Sequence, residues 1–217
     1  MNNPALVIHA DWSSNPKKRW FAVARLEKGS SYTIHAPQPA GEIPGLLQRL
    51  MKSAGASGSV FIGFDFPIGL PEQYAVRAGI TDFLALLPIL GQGVWRDFYR
   101  VAAEPDQISL YRPFYPMRPG SARQTHLLQG LQMSTMSDLW RSCDRPYAGR
   151  RAACPLFWTM GGQQVGKAAI HGWKEVLAPG MLEPSSTLAI WPFSGPLNDL
   201  LKQVDCVATE TYPAEYY

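Results

Sequence analysis

Two aspartates in this sequence each follow directly on a short apolar run. Asp11 closes ALVIHA within ADWSSNP, and Asp65 closes SVFIGF within FIGFDFPIGLP. A carboxylate at the end of a buried strand contributes little to core packing and is well placed for metal or phosphate chemistry. Its ordinary structural role there is to cap the turn that follows. Asp65 has apolar neighbours on both sides, so its ionised form needs a cation, a metal or an array of donors. Glu210 repeats the placement in CVATETYP. Hard oxygen donors at this density suit Mg²⁺ or Mn²⁺ better than zinc. Such ions can activate a water and stabilise the leaving oxygen of a phosphodiester, with Asp11 and Asp65 as ligands and Glu210 as a third ligand or general base.

A second set of residues suits anion binding. From Gln107 to Lys174 there are nine basic residues and two acids, a local charge of +7 against a total of +3, so the remainder is −4. A basic middle beside an acidic remainder fits a polyanionic partner such as phosphate or nucleic acid, or simply a solvated charged face. Arg112, Arg118, Arg145, Arg150 and Arg151 are the candidates for holding a phosphate backbone. Trp95, Phe114, Tyr115, Phe157 and Trp158 read first as core and second as surfaces for stacking bases. The stretch from Gly161 to Ala168 approaches the phosphate-loop pattern, but Ala168 stands where a Mg²⁺-binding hydroxyl belongs. Lys167 in that glycine-rich segment remains a candidate phosphate contact at a helix start, or part of a tight turn.

Other chemistries are disfavoured. Cys143, Cys154 and Cys206 are widely spaced and odd in number, which argues against a disulfide framework or a structural zinc site and reads as buried free thiols. His9, His35, His126 and His171 show no metal-binding spacing, and no serine-nucleophile motif occurs. An activated Cys143 thiolate beside Asp144 and Arg145 lacks a placed base. Apolar runs are too short for a membrane span. The N-terminus has no basic segment before its apolar run, so it reads as a first strand and the expected location is the cytoplasm.

Elements that would position the acids follow from periodicity and turn residues. Ala5–Ala10, Arg19–Leu26 and Ser31–His35 read as strands, the last two joined across Lys28-Gly29-Ser30. Ile43–Met51 has helical spacing. Ser59–Phe64 is a further strand, which Pro67, Gly69 and Pro71 prevent from continuing. A helix between the hairpin and this strand predicts a crossover that lays Ser59–Phe64 parallel to Ala5–Ala10. Asp11 and Asp65 would then emerge at the same C-terminal edge, where open α/β sheets place their ligands. The stretch from about 72 to 186 reads as a largely helical, Arg-rich insertion, with helices at Thr81–Leu90, His126–Leu139 and Lys167–Leu177. Periodicity leaves Cys154–Met160 open between strand and helix end. Strands return at Thr187–Trp191 and Asp205–Thr211, around a helix at Pro196–Gln203. Either strand can lie beside Ser59–Phe64. The expected fold is α/β: a mixed sheet with an antiparallel three-stranded start, then parallel strands.

The segments ADWSSNPKKRWFAVA, FIGFDFPIGLP, RPFYP, LFWTMGGQQVGK and ETYPAE together resemble the domain-of-unknown-function 429 family, which is placed in the ribonuclease H-like superfamily and predicted to contain nucleases. The resemblance spans nearly the whole chain. It implies an RNase H-like core with Asp11 and Asp65 on adjacent central strands and Glu210 at the family's acid before Tyr-Pro. It also implies a hydrolase that acts on phosphodiester bonds with Mg²⁺ or Mn²⁺ and takes nucleic acid or another phosphate-containing ligand. Nuclease sites of this kind usually carry a further acid on a C-terminal helix. No such acid precedes Tyr217, so the expectation is a truncated chain or a site without that ligand. Two other readings are a nucleotide-binding phosphotransferase or ATPase of the actin-like and sugar-kinase class, and a non-catalytic module that binds nucleic acid or protein.

Overall fold

The computed structural model describes residues 3–28, 30–55, 58–161, 165–185 and 187–212. Its packing divides the chain into two compact units, residues 1–66 with 171–217, and residues 67–170.

The first unit is built on one mixed sheet. Its strands are β1 (Leu6–Asp11), β2 (Trp20–Leu26), β3 (Tyr32–Ile34), the two-residue β4 (Gln38–Pro39), β5 (Val60–Phe64), β6 (Leu188–Ile190) and β7 (Cys206–Glu210). The order is β3-β2-β1-β5-β7-β6, with β4 also paired to β2. β2 runs antiparallel to β1 and β3, whereas β1, β5, β7 and β6 are mutually parallel. This is the expected antiparallel start followed by parallel strands. The α1 helix (Leu46–Ala54) makes the connection that lets β5 return parallel to β1.

Strand alternation divides the sheet residues between two faces. Leu6, Ile8 and Ala10 are buried and share a face with their register partners Val60, Ile62 and Phe64. Beyond the strand ends, Trp12, Phe64 and Phe66 extend this layer as an aromatic cluster with ring centroids 4.8–5.9 Å apart. Gly172 lies against it so closely that an added Cβ would fall 2.2 Å from Phe66 Cζ. On the other face, α7 (Leu197–Gln203) packs Leu200 against Ala189 and Val207, with Phe61 at the margin.

A helical run expected to stop before Pro179-Gly180 continues through it. The α5 helix (Val165–Gly172) passes into a π-helical turn at Trp173–Leu177 and then into α6 (Ala178–Leu182). The π turn has already reset the hydrogen-bond ladder, and Pro179 falls in the first turn of α6, where its missing N–H costs little. Gly180 is kept by packing: a Cβ there would meet Leu47 Cδ1 at 2.6 Å and Leu188 Cδ2 at 2.9 Å.

The second unit holds short helices and turns around aromatic side chains. They include α2 (Glu72–Arg77), α3 (Phe83–Leu86) and α4 (Gln124–Gly130), with 3₁₀ turns at Leu87–Ile89 and Met136–Leu139. The single helix expected over His126–Leu139 is therefore two. Gln132 takes φ 58°, Gln132 N–H donates to Gln129 O and Met133 N–H to Leu128 O, a Schellman ending that closes α4. The segment Cys154–Met160, open from sequence, is irregular and joins Tyr115 through an isolated bridge at Trp158. Tyr74, Phe98, Phe114 and Phe157 are fully buried against one another. Arg141 and Asp144 are buried together: Nε donates to Oδ2 at 2.9 Å, Nη2 to Oδ1 at 2.7 Å, and Nη1 to Ile68 O.

Candidate functional site

The two aspartates converge as the strand order requires. Ala10 pairs with Phe64, so Asp11 and Asp65 occupy the next level on adjacent parallel strands, and Asp65 N–H donates to Ala10 O at 3.2 Å. Asp11 is exposed and Asp65 half-buried. Trp12 N–H donates to Asp65 Oδ1 at 2.7 Å. Burial, and then the Asp11 charge, push the Asp65 carboxyl up to about 6, against the pull of the Trp12 N–H. An aspartate in that setting is poised for a cation, which would relieve both effects.

Glu210 is on the strand beside β5, because β7 and not β6 takes that position. Its register partner is Phe64. Alternation therefore aims Glu210 to the face of Ala10 and Phe64, opposite the face that carries Asp11 and Asp65. The residue level with Asp65 is Thr211, whose N–H donates to Phe64 O at 2.7 Å. The sequence reading of Glu210 as a third ligand chose the correct strand, but the register brings Thr211 and not Glu210 to the pair.

His9 and Thr211 meet on the face that carries the pair, and no sequence motif marks them. His9 lies two residues before Asp11, on the same face, and its Nδ1 is 3.1 Å from Thr211 Oγ1. That contact spans β5 above Gly63, where an added Cβ would fall 2.2 Å from Thr211 Cγ2. Burial lowers the His9 pKa and the nearby Asp11 charge raises it. We expect Gly63→Ala to displace Thr211 and cost about 1–3 kcal/mol. Thr211→Ser, which removes the clashing methyl, should recover most of that in the double variant; thermal unfolding of the four proteins checks the coupling.

The loop after β1 is held by Arg19, which is fully buried. Its Nε donates to Ser13 O at 2.6 Å, its Nη1 to Glu175 Oε2 at 2.7 Å, and its guanidinium carbon lies 4.5 Å from the Trp12 ring centroid. Glu175 also meets His171 Nδ1 at 2.6 Å. This network fixes Trp12, and hence the N–H that Asp65 accepts.

The expected anion-binding residues divide by how their side chains are used. Arg112 directs Nε to Arg100 O and Nη2 to Val101 O, so it serves the local fold. Arg150 donates to Cys143 O and lies over the Tyr147 ring. Arg118, Arg145 and Arg151 are exposed, and Lys167 is half-buried in α5. Gly166 is explained by a close approach, since a Cβ would meet Leu156 O at 2.5 Å; Gly162, Gln163 and Gln164 of the phosphate-loop-like segment lie outside the described residues. Trp95, Phe114, Tyr115 and Phe157 are core residues and Trp158 is half-buried. Among the cysteines the expectation of burial holds for Cys206, whose thiol is pushed up to about 12; Cys154 is half-buried and Cys143 exposed. The Pro213, Ala214 and Glu215 of ETYPAE lie outside the described residues.

Among the described residues, no group of three or more His, Cys, Asp or Glu side chains is arranged to hold a metal ion, and no helix is long and apolar enough to cross a membrane. The Asp11–Asp65 pair still fits Mg²⁺, which is commonly held by one or two carboxylates together with waters and substrate phosphates. Compared with known proteins, the chain matches no family model, no curated protein and no solved structure.

Proposed function

We propose that this protein is a Mg²⁺- or Mn²⁺-dependent phosphodiester hydrolase acting on nucleic acid, with Asp11 and Asp65 as the metal-binding pair. The observation that carries the reading is the placement of two carboxylates at one level on adjacent parallel strands, at the edge where such sheets bind ligands. The antiparallel strands on one side of β1 and the parallel strands on the other agree with the RNase H-like arrangement that the sequence resembles.

The bound metal would lower the pKa of a water and offset charge on the phosphodiester. Asp11 and Asp65 would hold it, and its charge would keep Asp65 ionised despite burial. Trp12 N–H fixes the orientation of Asp65 Oδ1. The contact between His9 and Thr211 stiffens the floor beneath the pair. Glu210 has no assigned part in this arrangement.

The test is incubation with labelled single-stranded, duplex and hybrid oligonucleotides in Mn²⁺ and in EDTA, beside Asp65→Asn. Cleavage should require the metal and fall by at least about 100-fold in the variant, as expected when a group acting in the transition state is lost. Cleavage that persists in EDTA or in Asp65→Asn would refute the reading, and ATP hydrolysis without cleavage would replace it with the phosphotransferase class.

A further inference from the structure

The second unit carries a basic hairpin whose form suits one kind of partner. From Arg145 to Ala153 the sequence is RPYAGRRAA, with three arginines and no acid. Arg150 N–H donates to Tyr147 O at 2.7 Å across Ala148-Gly149. Gly149 takes φ 83°, as the third position of a type II turn requires, and this sets the tip. At the base, Ala153 N–H donates to Asp144 O at 2.8 Å, and Asp144 is locked to Arg141 in the interior. The nearest acid is thereby buried and paired, so it does not offset the charge of the tip.

The side chains on this hairpin have distinct states. Arg150 lies 5.3 Å from the Tyr147 ring centroid and donates to Cys143 O, so it props the ring. Tyr147 is nevertheless 56% exposed, unusually open for an aromatic side chain in an ordered turn. Arg145 and Arg151 flank it, both exposed. Neither forms a hydrogen bond or ion pair with any described residue.

We infer that the Arg145–Arg151 hairpin is a binding site for single-stranded nucleic acid, with a base stacked on Tyr147 and backbone phosphates on Arg145 and Arg151. An exposed aromatic ring with an exposed arginine on either side of it in the chain matches a strand that alternates flat bases with phosphates. Stacking on Tyr147 requires an unpaired base, so duplex binds less well. This inference rests on the nucleic-acid reading above and deepens it by naming the strand type. It does not depend on the carboxylate pair, since binding needs no metal.

The experiment is fluorescence anisotropy of the full chain with labelled single-stranded oligo-dT and oligo-U and with a duplex of equal length, all in EDTA so that nothing is cleaved. Arg145→Ala/Arg151→Ala should weaken single-strand binding at least about tenfold. It should also reduce the dependence on log salt by about 1.4, because each of the two phosphates no longer held accounts for about 0.7. Tyr147→Ala should weaken binding about 5- to 100-fold with the salt dependence unchanged, and Tyr147→Phe should bind as wild type. Arg145→Lys/Arg151→Lys should keep most of the affinity, which separates lost charge from a damaged fold. Wild-type affinity in the alanine variants, or duplex bound as tightly as single strand, overturns the inference. The two readings fail separately: absence of metal-dependent cleavage bears on the hydrolase reading, and wild-type binding in the hairpin variants, measured in EDTA, bears on this one.

Discussion

Asp144→Ala should destabilise the protein by about 3–5 kcal/mol, the usual cost of removing one partner from a buried ion pair. Arg141 and Asp144 have side chains 6% and 5% exposed and meet through two parallel hydrogen bonds. Asp144 also accepts Arg141 N–H at 3.0 Å. Alanine would remove the carboxylate that meets the buried guanidinium in two parallel hydrogen bonds, while the Ile68 carbonyl contact stays. Asp144→Asn should cost less, because the amide oxygen can keep one of the donors. Chemical denaturation read by tryptophan fluorescence measures both, and an Asp144→Ala protein within about 1 kcal/mol of wild type would show that the pair does not anchor this unit. Because this pair also holds the base of the Arg145–Arg151 hairpin, Asp144→Ala should weaken single-strand binding as well.

Asp65→Asn should instead stabilise the fold at neutral pH. The folded chain keeps the Asp65 proton up to about pH 6, whereas the unfolded chain releases it near 3.8. Between these values the folded state binds more protons, so stability falls as pH rises through the window and the cost is constant above it. A rise of this size corresponds to about 3 kcal/mol for a fully realised effect, and about 2 kcal/mol is expected for this half-buried group. Asparagine keeps an oxygen for the Trp12 N–H and carries no charge. Wild type and variant should therefore differ by about 2 kcal/mol at about pH 8, in favour of the variant, and converge below about pH 4. Millimolar Mg²⁺ should narrow the gap at the higher pH by stabilising only the wild type, through linkage to the folded state. Equal stability across the pH range would mean that Asp65 is not desolvated beside Asp11. A gain in stability with a loss of cleavage is the pattern expected of a site residue.

The sequence by itself determined the local pieces. The apolar runs before Asp11 and Asp65, and the turn residues after them, marked both strand ends, since burial and the loss of a proline donor act within a few residues. The helix between them implied a parallel return, which follows from chain connectivity. The mixed sheet was legible for the same reason.

Only the tertiary structure decided which strand lies beside β5 and in what register, because those choices depend on pairings between residues far apart in the chain. A single-residue offset puts Thr211, not Glu210, level with Asp65. The meeting of His9 and Thr211 joins residues 202 positions apart over a glycine, a relation that no local pattern encodes. The arginines looked alike in sequence. Their roles diverge in the folded chain, where Arg112 donates to Arg100 O and Val101 O and Arg150 to Cys143 O, while Arg145 and Arg151 remain exposed. The carboxylate pair was thus readable as two strand ends, but its partners and its neighbours were set by register and packing.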